Sequence, residues 1–148
     1  MPHLVILYTP NLERELDMTA LCRALADAML TVRDEQGQQV FPHGGTRVLA
    51  YPAAHHAVSD GGAAGIAAGS KGAHSGDYGF AYFNIRMAAG RSAATQQRAG
   101  DTVRDCVRRF FEPVLARRNV GITVQIDESA GQVYDAKIGN LHALFGKP

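Results

Sequence analysis

The chain has 148 residues, 46% of them apolar, enough for one domain of ordinary size whose core needs neither disulfides nor a metal to fold. Lys and Arg total 15 against 14 Asp and Glu, and a formal charge of +1 supplies no general field for nucleic acid or an anionic membrane, so anion recognition must be local. The longest purely apolar runs are about four residues against the roughly 20 of a membrane helix, and the start lacks a basic region followed by a long apolar one, which points to a soluble cytoplasmic protein.

The segment PHLVILYT (2–9) is mostly apolar with β-branched and aromatic members, and predicts a strand in the interior of a sheet. After the breaker PN, the stretch LDMTALCRALADAML (16–30) puts Leu16, Ala20, Leu21, Ala24, Leu25, Ala28 and Met29 on one broad face. That spacing predicts an amphipathic helix with Asp17 available as its cap. The polar, turn-rich TVRDEQGQQVFPHGGT leads into a second strand, RVLAYP (47–52). Residues 53–77 are mainly Ala, Gly, Ser and His and predict a long surface insertion without secondary structure.

YGFAYFNIRMA (78–88) is the clearest strand, because Tyr78, Phe80, Tyr82, Asn84 and Arg86 alternate with Phe83, Ile85 and Met87 and furnish its two faces differently. TQQRAGDTVRDCVRRFFEPVLARR (95–118) repeats Ala99, Val103, Cys106, Val107, Phe110, Val114 and Leu115 at intervals of three and four. It predicts a long helix, capped by Ser92 and kinked at Pro113. VGITVQIDE (120–128) is a fourth strand, and NLHALFGKP closes the chain with a short apolar segment suited to a last turn that docks on something. The order predicts one α+β domain over residues 1–148, strand-helix-strand twice, in one sheet with both helices on one face. The opposite face then lacks a cover, and oligomerisation, sheet against sheet, is the economical way to supply one.

Pro2 carries two readings. A strand tolerates proline at its first residue, where the missing N–H costs no ladder bond. Removal of the initiator methionine would instead leave the Pro2 nitrogen as a free secondary amine, whose pKa of about 8 in water falls toward neutrality on burial or beside positive charge, making it a base at working pH. A proton shuttle also needs a grip on a charged substrate. Arg47 enters a strand from the glycine-rich FPHGGTRV, and Arg91 lies in AAGRS between a strand and a helix N-terminus. Guanidinium groups at such ends can converge on carboxylates, and the helix terminus adds a field favourable to anions. The remaining arginines, Arg86, Arg104, Arg108, Arg109, Arg117 and Arg118, read as solvated or interface residues. Cys22 and Cys106 read as buried small side chains, and His55, His56 and His74 sit in a region ill suited to ordered metal ligation. GGAAGIAAGSKG lacks the ending and the strand-to-helix setting of a phosphate loop.

PHLVI, FPHGGTRV, DYGFAYFNIRMAAGRS, QQRAGDTV and NLHALF, in that order, resemble the tautomerase superfamily, and within it the branch acting on 5-carboxymethyl-2-hydroxymuconate. The resemblance runs nearly end to end. It implies a tautomerase-like fold of two β-α-β units in one mixed four-stranded sheet, assembled as a homotrimer. It also implies a cofactor-free isomerase with no metal, converting its substrate to the 2-oxo-hex-3-ene-dioate isomer in homoprotocatechuate breakdown. Pro2 matches the proton-transfer group; Arg47 and Arg91 match the arginines that bind or polarise the carboxylate-bearing substrate. Tyr82, on the face shared with Phe80, is a candidate to line the pocket. Two features depart from the family pattern: the long Ala/Gly insertion, and Leu49 where relatives carry another arginine. Leu49 keeps open a tautomerase acting on a related unsaturated hydroxy or oxo acid. A trimeric protein binding small anions without proton transfer is the non-enzyme alternative.

Overall fold

The computed structural model describes residues 3–68 and 77–146. Four strands form one mixed sheet: β1 (His3–Tyr8), β2 (Arg47–Pro52), β3 (Gly79–Ala88) and β4 (Val120–Ser129), in the order β2-β1-β3-β4. β1 and β2 are parallel and joined through α1 (Met18–Leu30); β3 and β4 are parallel and joined through α3 (Ala93–Leu115). Parallel neighbours need such crossovers, and the first strands of the two units meet in the middle as an antiparallel pair. The mixed α+β architecture is the expected one.

Alternation along the strands sorts residues between two faces. Leu4, Ile6 and Tyr8 of β1 stand in register with Ile85, Phe83 and Ala81 of β3, and all six are buried beneath the helices. α1 contributes Leu21, Leu25 and Met29 to the same layer, each fully buried and each adding roughly 1.5–3 kcal/mol by removal from water. The Asp17 carboxylate accepts from the Ala20 amide at 2.9 Å, capping α1 as its sequence predicts.

α3 buries Ala99, Val103, Cys106, Val107 and Val114 as expected, but its aromatic anchor is Phe111 rather than Phe110. Phe111 lies one turn beyond Val107 and meets Phe83 edge to face, with centroids 6.1 Å apart; Phe110 is half-buried at the margin and Leu115 is exposed. The helix runs on through Pro113 to Leu115.

Two elements were not anticipated. PNLER (Pro10–Arg14), which reads only as a breaker, is a 3₁₀ turn whose Leu12 is fully buried. Ala63–Ala67 forms a short helix, α2, within the stretch expected to be structureless, its start tied by Asp60, whose carboxylate accepts from the Gly62 and Ala64 amides. Residues 69–76 of that insertion lie outside the described residues. Arg118, read as a surface residue, is instead held between Glu15 at 2.9 Å and Asp77 at 3.3 Å, fastening the end of α3 to the turn after β1.

Among the described residues the sheet face away from α1 and α3 is left uncovered. Leu7, Leu49 and Tyr51 are 46%, 44% and 51% exposed on it. After β4 the chain continues as an exposed arm, 130–140, ending in a 3₁₀ turn at Leu141–Phe145.

Candidate active site at one end of the sheet

Pro2 lies outside the described residues; His3 is the first residue of β1. Register places His3 between Arg47 on β2 and Arg86 on β3. β3 is antiparallel to β1, so the chain leaving β3 emerges at this same end, where Gly90 adopts φ +94° and turns it toward Arg91. No side chain could follow that turn without strain. Arg47, Arg86 and Arg91 therefore share the end of the sheet at which β1 begins.

Arg47 is half-buried, and its guanidinium donates to the Gly45 carbonyl at 3.0 Å. The turn before it is built on one acceptor: the Pro42 carbonyl receives the amides of Gly45 and Thr46, each at 3.0 Å, and the Thr46 hydroxyl at 2.8 Å. Arg91, also half-buried, donates to the Val40 carbonyl at 3.3 Å, so one segment, 40–47, supports both arginines. Among the described residues Arg91 forms no ion pair. Arg86 is exposed, and with His3, Ala89 and Ser129 it borders a hollow of about 350 Å³.

The helix N-terminus beside Arg91 is not open to an anion as the sequence suggested. Ser92 caps α3 by accepting from the Thr95 amide at 3.1 Å, and both hydroxyls donate to the carboxylate of Glu35. Those hydrogen bonds, Ser92 first, hold the Glu35 carboxyl below its ordinary pKa. The protein's own carboxylate thus occupies the positive end of the helix. No local motif announces Glu35, which reaches Ser92 across 57 positions of chain.

Tyr82 is placed differently. It lies four residues before Arg86 on the bare face, roughly 13 Å along the strand. Its hydroxyl donates to Gln125 at 3.3 Å and accepts from Asn84 at 3.2 Å. Asn84, only 6% exposed, also donates to Asp127 at 2.7 Å. Within one chain, then, Arg47 and Arg91 stand at the same end of the sheet and Tyr82 stays apart. Among the described residues no group of three His, Cys, Asp or Glu is arranged to hold a metal ion, and no helix is long and apolar enough to cross a membrane.

Two parallel β-α-β units sharing a mixed four-stranded sheet make this a domain of the tautomerase superfamily. The family model for 5-carboxymethyl-2-hydroxymuconate isomerase matches residues 2–145, and the chain belongs to that family. It is an isomerase. The 5-carboxymethyl-2-hydroxymuconate Delta-isomerase of Escherichia coli is 23% identical over 145 residues, 98% of this chain and 99% of its own. A crystal structure of a 5-carboxymethyl-2-hydroxymuconate delta-isomerase is 64% identical, with a TM-score of 0.91 over 100% of this chain and 95% of the other. The 5-carboxymethyl-2-hydroxymuconate isomerase of Deinococcus radiodurans R1 is 25% identical, with a TM-score of 0.75 over 99% of this chain and 95% of its own.

Proposed function

We propose that the chain, once its initiator methionine is removed, isomerises 5-carboxymethyl-2-hydroxymuconate by proton transfer at the Pro2 nitrogen. The free amine accepts the proton of the 2-hydroxyl as the C2–O bond becomes a carbonyl, and returns it to C5, giving the 2-oxo-hex-3-ene-dioate isomer without metal or organic cofactor. Arg47 and Arg91 hold the substrate carboxylates and stabilise the charge developing on the 2-oxygen. This is a cytoplasmic step of homoprotocatechuate breakdown, carried out by a homotrimer in which Tyr82 lines the pocket from the exposed sheet face. The observation that carries the reading is that Arg47 and Arg91, both supported by segment 40–47, stand at the end of the sheet where β1 starts, one residue after Pro2.

The test is ultraviolet measurement of enol-to-oxo conversion by the mature protein, its intact mass first confirmed to lack one methionine residue. Pro2→Ala is expected to lose on the order of 10²-fold or more in kcat/KM. Wild-type rates in that variant, or no conversion above the uncatalysed rate in the mature protein, would overturn the assignment. Leu49, exposed two residues beyond Arg47 in place of the family's further arginine, favours a second reading with a related unsaturated hydroxy or oxo acid as substrate. A panel of hydroxymuconate and phenylpyruvate-type enols separates the two by kcat/KM.

A further inference from the structure

The last turn of the chain rests on the turn that carries Arg47. Phe145 stacks on His43, with ring centroids 6.3 Å apart and planes 28° from parallel. The imidazole of His142 lies over Gly44 so closely that a Cβ there would come 2.8 Å from its Nδ1 and 3.5 Å from the Phe145 ring. Only glycine admits that approach without displacing His142. The next residue, Gly45, is buried and receives the Arg47 guanidinium on its carbonyl. Leu141–Phe145 thus presses on two residues of the turn, and the third holds the arginine. From below, the turn is anchored by Phe41, which is fully buried.

We propose that Leu141–Phe145 is a positioning clamp for Arg47, with His142 and Phe145 as positioning residues that hold the glycine turn, and through it the guanidinium, in the orientation that receives a substrate carboxylate. The inference rests on the reading of Arg47 as a substrate-binding residue. The segment contributes little to the core: the fully buried hydrophobic residues end at Val114, and residues 130–146 are exposed throughout. A hollow of about 540 Å³, bordered by Leu141, Phe145, Cys22 and Val48, separates the clamp from α1. Removing it therefore acts on the turn more than on the packing of the domain.

The test compares four mature proteins on 5-carboxymethyl-2-hydroxymuconate: wild type, a chain ending at Asn140, Arg47→Ala, and the two changes together, with Gly44→Ala as a point variant that moves His142 without shortening the chain. Truncation is expected to raise KM roughly tenfold with kcat within about threefold of wild type, because a loosened Arg47 weakens its grip on a carboxylate while Arg91 still stabilises the charge on the 2-oxygen. Gly44→Ala should move KM in the same direction by less. In the Arg47→Ala background truncation should raise KM no further, since both changes remove one interaction. A KM rise that persists in full without Arg47, or a wild-type KM in both the truncated chain and Gly44→Ala alongside a raised KM in Arg47→Ala, overturns the clamp and leaves the arginine's role standing. An unchanged KM in Arg47→Ala removes the reading of Arg47 and the clamp with it.

Discussion

Tyr8 ends β1 with its ring in the core and its hydroxyl donating to the Glu13 carboxylate at 2.7 Å. Burial first, and then that hydrogen bond, push its phenol from the ordinary 10.0 up to about 12. A phenol whose pKa is raised on folding stabilises the native state in full below the unfolded value. That contribution is lost as the pH rises from about 10 toward 12, because the unfolded chain releases the proton first. Urea midpoints measured across this window should fall less steeply for Tyr8→Phe than for wild type; parallel declines would show that Tyr8 is not the group responsible. At the same scale, Arg47 and Arg91 were legible as candidates because each punctuates an element boundary. The carboxylate that fills the helix terminus beside Arg91 was not, since Glu35 sits in a polar turn with no pattern linking it to Ser92.

The elements themselves followed from periodicity, and their errors are instructive. Spacing alone admits both Phe110 and Phe111 to the apolar face of α3, and only the sheet beneath decides between them. Phe111 is fully buried against Phe83, so Phe111→Ala is expected to cost about 3–5 kcal/mol of unfolding free energy, and Phe110→Ala distinctly less. Denaturant unfolding of the two variants measures the difference, and equal losses would contradict the packing described. The 3₁₀ turn at Pro10–Arg14 gives no periodic signal in the sequence, because it has a single apolar anchor, Leu12. It matters nonetheless: Glu15 just beyond it pairs with Arg117 at 2.6 Å and Arg118 at 2.9 Å, linking the two β-α-β units.

Across the whole molecule, the apolar surface left uncovered sets the expectation for assembly. Val5, Leu7, Leu49, Tyr51 and Phe80 lie on one face of the sheet, beside a row of polar groups, Asn84 with Asp127 and Tyr82 with Gln125, and with His3, Arg47 and Arg86 at one end. A face of this kind is disfavoured in water and suited to a second copy of itself. The homotrimer should appear in light scattering at micromolar concentration as three times the chain mass. Leu7→Asp, which would bury an unpaired carboxylate at the contact, should drive it toward monomers. A monomeric wild type would refute the assembly, and with it any part for Tyr82 in a pocket shared between subunits.

Local periodicity, capping chemistry and the positions of breakers suffice to read from the sequence the two β-α-β units, the two faces of β3, both helix caps and the arginines worth testing. Which separated segments meet is set by folding. Register set His3 between Arg47 and Arg86, folding brought Glu35 to Ser92, and the chain's last turn came to rest on Gly44. Contacts of that kind join residues tens of positions apart through packing and pairing, and no short-range pattern encodes them.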